Sequence, residues 1–70
     1  MTQTTHPVTE VFGTSDKSME DAIRGAIATT SETIRNLEWF EVTQMRGKIN
    51  DKGEIDHFQV GVKLGFRLDR

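Results

Sequence analysis

Three side chains in the second half of this 70-residue chain have the chemistry to hold a flat ligand with a polar edge. Trp39, the only tryptophan, offers an aromatic face that gains about 1 kcal/mol from stacking, beyond the area that it buries. Gln59 offers an amide that both donates and accepts hydrogen bonds, which suits the edge of a heteroaromatic ring. Arg46 offers a planar guanidinium fork that can hold a phosphate.

Each of these residues also has a purely structural interpretation. Trp39 is equally well explained as a core or subunit-interface residue, since tryptophan is common in both. By residue type alone, Gln59 is better explained as a solvated or inter-strand amide. An exposed strand arginine such as Arg46 most often forms only weak surface pairs. The residues themselves leave both interpretations open.

The composition excludes several other kinds of site. There is no cysteine, which excludes disulfides and thiolate metal sites, and two histidines are too few for a histidine-based metal site. Asp56 and His57 are neighbours on a predicted strand and should face opposite ways, so we interpret that pair as incidental. No nucleophile, base and orienting acid can be assembled, and we predict neither a catalytic site nor an enzyme.

Charge and hydropathy limit the partners and the location. The net charge is −2 and the pI is about 5.6, which argues against a nucleic-acid partner because such proteins carry a basic patch. No apolar run approaches the ~20 residues that span a bilayer, and the first ten residues do not resemble a secretory signal. We therefore predict a cytoplasmic protein without a membrane partner.

The spacing of apolar residues predicts four elements in the order β-α-β-β. The stretch VTEVFGTS has the β-branched content of a short strand, which Gly13 should end. Apolar residues at intervals of three and four predict one helix over residues 18 to 36, with Ser18, or alternatively Ser15, capping its start. Residues 38 to 49 and 54 to 68 are predicted strands of a hairpin. The fold class is α+β, with residues 1–7 as a polar tail and residues 8–70 as a single domain.

The two faces of the predicted sheet differ in chemistry. In the last strand, alternate apolar residues share the face that packs on the helix: Phe58, Val60, Val62, Leu64, Phe66 and Leu68. The middle strand changes phase, because Phe40 and Val42 are even positions while Met45 and Ile49 are odd. One extra residue near 43 to 45, a β-bulge, corrects the phase. Arg46 then shares the helix-free face with Trp39 and Gln59.

The small size of the chain predicts an oligomer. A chain of 70 residues buries a small fraction of its surface, and chains of this size usually rely on disulfides, a metal or a partner subunit. With disulfides and cysteine-bound metals excluded, association with further copies is the remaining support. Residues 16 to 38 carry five acidic and three basic side chains, whereas residues 39 to 70 carry five acidic and six basic ones. This distribution favours an anionic ligand or a subunit contact on the sheet side.

Three segments resemble a known family, the dodecins, which are small flavin-binding proteins. The segments are VFGTSDKSMEDAI, LEWFEVTQMRGKI and HFQVGVKLGFRLD, and the resemblance extends from about Val8 to Asp69. It implies a β-α-β-β fold whose three-stranded sheet partly wraps around the helix. It also implies a homo-oligomer, a hollow dodecamer with the helices outside.

The resemblance also implies a ligand and residue roles. Dodecins bind flavins in stacked pairs, each ring lying between a tryptophan and the second flavin. Trp39 matches that tryptophan, Gln59 matches the glutamine at the pyrimidine edge, and Arg46 matches an arginine near the FMN phosphate. Riboflavin or FAD are alternative ligands, and some members bind coenzyme A at a second site. Phe12 departs from the family, where a smaller aliphatic residue is common, and we expect it not to touch the site.

The implied function is flavin storage and buffering with photoprotection. Transfer of an electron from the indole would quench the excited flavin, and no turnover is needed. The alternative is a small oligomeric interaction module without flavin, in which Trp39 is a subunit-interface anchor. A flavoenzyme is disfavoured, because indole and partner flavin would cover both faces of the ring.

Overall fold

The computed structural model describes residues 5–68 and contains four elements in the order β-α-β-β. They are β1 (Val8–Ser15), α1 (Met19–Thr30), β2 (Leu37–Ile49) and β3 (Ile55–Phe66). The strands form one antiparallel sheet in the order β1-β3-β2, and α1 packs across β1 and β3. The predicted fold class is confirmed. Residues 1–4 of the predicted tail and the last two residues of the predicted domain lie outside the described residues.

The core lies between α1 and the central strand β3. Val60, Val62 and Leu64 are completely buried, as the alternation in β3 predicts. Ala22 and Ala26 of α1 are buried against them. Because neighbouring residues of a strand point to opposite faces, the odd-numbered residues of β3 lie on the face opposite α1. We call this the helix-free face, and it includes the residues of β1 and β2 that pair directly with those odd positions.

The helix is shorter than predicted, since it ends at Thr30 rather than near residue 36. The segment that follows is rich in serine and threonine, and its hydroxyls bond to backbone carbonyls. Thr30 Oγ1 donates to the Ala26 carbonyl at 2.8 Å, and Ser31 Oγ donates to the Ala28 carbonyl at 2.7 Å. Such bonds offer the backbone an alternative to further helical turns. Asn36 has a φ of 64°, which reverses the chain direction before β2.

The start of α1 is capped as predicted. The Ser18 hydroxyl accepts a hydrogen bond from the Asp21 backbone N–H at 2.9 Å. Ser15, the last residue of β1, supports the same turn, because its hydroxyl accepts from the Lys17 N–H at 2.9 Å and donates to the Asp21 carboxylate at 2.7 Å. The two serines therefore fix the angle between β1 and α1.

Gly13 does not end β1, contrary to the prediction, because the strand continues to Ser15. The glycine instead allows a close approach between layers. A Cβ at this position would overlap the backbone carbonyl oxygen of Ala22 and lie 3.0 Å from the Ala26 Cβ. The absence of a side chain at Gly13 therefore sets how closely α1 packs on β1.

Gly13→Ala is expected to lower the free energy of unfolding by roughly 1–3 kcal/mol, because the added methyl meets backbone atoms that cannot rotate away. Urea denaturation at one fixed protein concentration measures the change. Gly25→Ala is the matched control: the space around this helical glycine is open to at least 4 Å, and alanine favours helix. Equal stability of the Gly13→Ala protein and the wild type would contradict this packing.

The predicted bulge is present in β2. Val42 pairs with Val62 and Gln44 pairs with Gly61, which leaves Thr43 as an extra residue. The hairpin turn is also as predicted, with Gly53 at a φ of 77°. Two further shifts of register, which the sequence does not predict, leave Glu38 in β2 and Asp56 in β3 as extra residues.

The helix leaves the outer strand β2 partly uncovered. Phe40 pairs with Leu64 and Met45 pairs with Val60, so both side chains lie on the same sheet face as α1. Phe40 is nevertheless 51% exposed and Met45 is 59% exposed, since α1 packs on the other two strands. We call these two residues the helix-side strip. No helix within residues 5–68 is long and apolar enough to cross a membrane.

Candidate functional site

The helix-free face carries all three predicted site residues. Trp39 pairs with Gly65, and Arg46 pairs with Gln59, so each lies on the face of an odd-numbered β3 residue. The same face also carries charged and polar residues from all three strands: Glu10, Thr14, Glu41, Lys48, His57 and Lys63. This face therefore combines one indole, an amide and several cations, as the sequence predicts.

Trp39 packs against the backbone of β3 at Gly65. A Cβ added to Gly65 would overlap the atoms of the indole ring, so the ring occupies the space that any other residue would fill. The side chain is 44% exposed, because the face of the indole that turns away from Gly65 has no covering element in the described chain. Glycine at position 65 thus makes room for the indole on the sheet, and the exposed part of the ring is available for stacking.

The chain that leads into β2 positions this platform. Asn36 pairs with the far end of β3 through two bonds to Arg67: its carbonyl accepts from the Arg67 N–H at 3.0 Å, and its side-chain amide donates to the Arg67 carbonyl at 3.3 Å. Leu37 then pairs with Phe66 on the helix side, whereas Trp39 pairs with Gly65 on the opposite side. The extra residue, Glu38, turns the strand between them and places the indole outside the core.

Arg46 and Gln59 form a direct polar pair. Arg46 Nε donates to the Gln59 amide oxygen at 2.6 Å. Because a guanidinium nitrogen can only donate, this bond requires the amide oxygen to face Arg46 and turns the amide nitrogen away. Gln59 is half-buried and Arg46 is exposed. The pair therefore presents an oriented amide donor beside a cationic fork.

Within one protomer, the indole and the polar pair are far apart. Gln59 and Gly65 are six residues apart on β3, and Trp39 lies beside Gly65. At the rise of a β-strand this separation is about 20 Å. Both groups share one face, but the ring of a single ligand cannot stack on Trp39 and bond Gln59 in the same chain. The distance between Trp39 and Gln59 could have been predicted from the sequence, by counting how many residues separate each of them from the hairpin turn.

Phe12 lies on the helix-free face as well. It pairs with Gly61 and is 54% exposed. A Cβ on Gly61 would lie 2.9 Å from Phe12 Cε2 and 2.9 Å from Thr43 Oγ1, so the phenyl ring reaches across the central strand toward β2. The expectation that Phe12 does not touch the site is made without knowledge of its pairing with Gly61, which places it on the same face as the site residues. The alternation of β1 places Phe12 on one face with Glu10, and only the pairing with β3 identifies which face that is.

Asp56 and His57 do interact, which corrects the interpretation of this pair as incidental neighbours on opposite faces. Asp56 Oδ2 and His57 Nδ1 are 2.8 Å apart. Asp56 is the extra residue where the pairing changes from Lys48–His57 to Ile49–Ile55. The shift of register breaks the strict alternation and allows the carboxylate to reach the imidazole.

Comparison with known proteins agrees with this architecture. The family model for dodecin matches residues 5–69. A curated dodecin from Thermus thermophilus is 43% identical over 60 residues, which is 86% of each chain. The structure of dodecin from Streptomyces coelicolor superposes with a TM-score of 0.89 at 53% identity and covers 100% of this chain and 99% of its own. Dodecin from Streptomyces davaonensis gives a TM-score of 0.88 at 50% identity, with 94% and 96% covered. With this sequence identity, the shared β-α-β-β fold and a family match over nearly its whole length, the chain belongs to the dodecin family.

Proposed function

We propose that this protein stores and buffers flavin, with FMN as the preferred ligand, and protects it from light. The observation that carries the proposal is the placement of Trp39, whose indole rests on Gly65 and leaves its other face open. A planar platform of this kind fits the flat isoalloxazine ring. The amide of Gln59, oriented by Arg46, supplies the donor that such a ring needs at its pyrimidine edge.

The proposed photoprotection depends on the indole. A bound flavin supplies an excited state that accepts an electron from an aromatic ring in contact with it. Trp39 would be the donor, since stacking brings the indole within van der Waals distance, and return of the electron would leave the protein unchanged. Such a cycle requires no catalytic base or nucleophile. The proposed role is therefore binding rather than turnover.

The proposed site needs more than one copy of the chain. Because Trp39 and the Arg46–Gln59 pair lie about 20 Å apart in one protomer, we infer that one ligand receives the indole from one subunit and the amide from another. Membership of the dodecin family favours a homo-oligomer, and we propose a dodecamer with the helices outside. The exposed helix-side strip supplies an apolar surface for subunit contacts.

The proposed preference for FMN depends on Arg46. Its Nε is bonded to Gln59, whereas the exposed guanidinium retains terminal N–H groups that can donate to a phosphate. Riboflavin lacks the phosphate and would lose these bonds. Binding of coenzyme A at a second site remains a prediction from the family resemblance, without assigned residues. The cytoplasmic location remains a prediction from the sequence.

Titration of the purified protein with FMN and with riboflavin tests the proposal. The wild-type protein is expected to quench the fluorescence of both flavins and to bind FMN more tightly. Arg46→Ala is expected to reduce the preference for FMN by roughly tenfold, because charge-assisted hydrogen bonds contribute about 1.5–3 kcal/mol. Arg46→Lys, which keeps the charge but loses the fork, should retain part of the preference. Absence of quenching by the wild-type protein would refute flavin binding, and an unchanged preference in Arg46→Ala would refute the phosphate role.

A further inference from the structure

Phe12 forms an exposed apolar patch on the helix-free face, where its neighbours along β1, Glu10 and Thr14, are polar. Its ring is 54% exposed and reaches over Gly61, where the missing side chain leaves room for it. On one side of the phenyl ring, the Thr43 hydroxyl donates a hydrogen bond to Glu10 Oε2 at 2.8 Å. On the other side, the next positions along the sheet carry the Arg46–Gln59 pair. The phenyl ring therefore lies between two sets of hydrogen-bonding groups.

The patch is adjacent to the amide that we assign to the flavin edge. Phe12 pairs with Gly61, and Gln59 is two residues further along β3. This spacing corresponds to about 7 Å along the strand. A fused three-ring ligand whose edge bonds Gln59 is longer than that spacing. Its apolar part can extend over Gly61 and reach the phenyl ring.

The chemistry around Phe12 favours a small ligand over a protein partner. A partner surface that buries an apolar residue usually meets a broader apolar area, yet the neighbours of Phe12 on this face are Glu10, Thr14 and Lys63. One aromatic ring bordered by donors and acceptors instead matches a ligand with an apolar ring face and a polar edge. Flavin has this combination.

We propose that Phe12 is an additional binding residue that contacts the isoalloxazine ring of the flavin held by Gln59, and that it raises the affinity for the ring system itself. This inference rests on the proposed flavin-binding function. The contact is made to the edge of the ring, because the indole and the second flavin cover its two faces, and not to the side chain of the flavin. Its contribution should therefore be the same for every ligand that contains the ring.

The test compares Phe12→Leu with the wild-type protein, using FMN and lumichrome, which has the three-ring system without the ribityl chain. Leucine keeps an apolar residue in β1 but removes the aromatic contact. Phe12→Leu is expected to raise both dissociation constants by the same factor, about three- to tenfold. Fluorescence titration measures the two constants, and size-exclusion chromatography verifies that the assembly is unchanged. Phe12→Val serves as a second variant with high strand propensity.

Ile55→Val is the control, because Ile55 is an exposed apolar residue at the hairpin end of the sheet, outside both the proposed site and the helix-side strip. Its affinity for both ligands should equal that of the wild type. An affinity of both Phe12 variants within about twofold of the wild type, a range below one aromatic contact, would overturn the inference and leave flavin binding intact. An equal loss in Ile55→Val would also overturn it. Absence of binding by the wild-type protein would instead refute the proposed function.

Discussion

Trp39→Ala is expected to weaken flavin binding by roughly 10- to 100-fold and to restore the emission of the flavin that still binds. The variant removes the indole that packs on Gly65, and with it both the exposed stacking surface and the proposed electron donor. Fluorescence titration measures the affinity, and the excited-state lifetime of bound flavin measures the quenching. Unchanged affinity together with an unchanged lifetime would contradict the role of Trp39.

Trp39→Phe separates the two contributions of the indole. A phenyl ring still stacks, so the affinity should fall less than in the alanine variant. Because a phenyl ring is a poorer electron donor, the excited-state lifetime of the bound flavin should lengthen.

The interaction-module alternative makes a different prediction for Trp39→Ala. In that case the assembly would dissociate on size-exclusion chromatography, and added flavin would have no effect on either protein.

Phe40→Glu is expected to dissociate the assembly. Phe40 is 51% exposed in the protomer because α1 covers the other two strands, and we infer that a neighbouring subunit covers it. A carboxylate buried there without a partner costs several kcal/mol per site, and each copy of the chain would carry the same cost. Multi-angle light scattering measures the mass of the particle. Flavin affinity should fall in parallel, because the proposed site needs two subunits.

Ala28→Glu is the charge-matched control for this variant. Ala28 is exposed on α1, and glutamate is a good helix former, so the assembly should persist. Circular dichroism verifies that each variant is folded. A Phe40→Glu protein that keeps its full mass would show that the helix-side strip is not a subunit contact.

The sequence predicts the sheet well because its signal is local. In β3, the strict alternation of apolar residues identifies Val60, Val62 and Leu64 as core, and all three are buried. The phase change in β2 locates the bulge, which the structure places at Thr43. Both inferences need only the two-residue period of a strand. The assignment of Trp39 to the helix-free face follows from these two inferences.

The features that could not be predicted depend on competing or non-local interactions. The apolar stripe continues past Thr30, but the hydroxyls of the following residues bond to the backbone and the helix ends there. Pairing of β1 with β3 joins segments that are distant in sequence, so the neighbours of Phe12 are visible only in the folded sheet. The shift at Glu38 is marked only by Leu37, the single β2 residue before it, whose phase differs from that of Phe40.

The extra residue at Thr43 also determines which changes of length this family member can accept during evolution. Loss of Thr43 would remove the bulge but leave the side chains between it and the hairpin on their present faces, because Gln44 would then follow Val42 in regular alternation. Insertion of one more residue in β2 would instead need a second bulge to keep Arg46 and Trp39 on the same face. The hairpin segment 50–54 lies outside the paired region and is free of this constraint. Insertions should therefore accumulate at the hairpin, whereas β2 should tolerate the loss of its extra residue but not a gain in length.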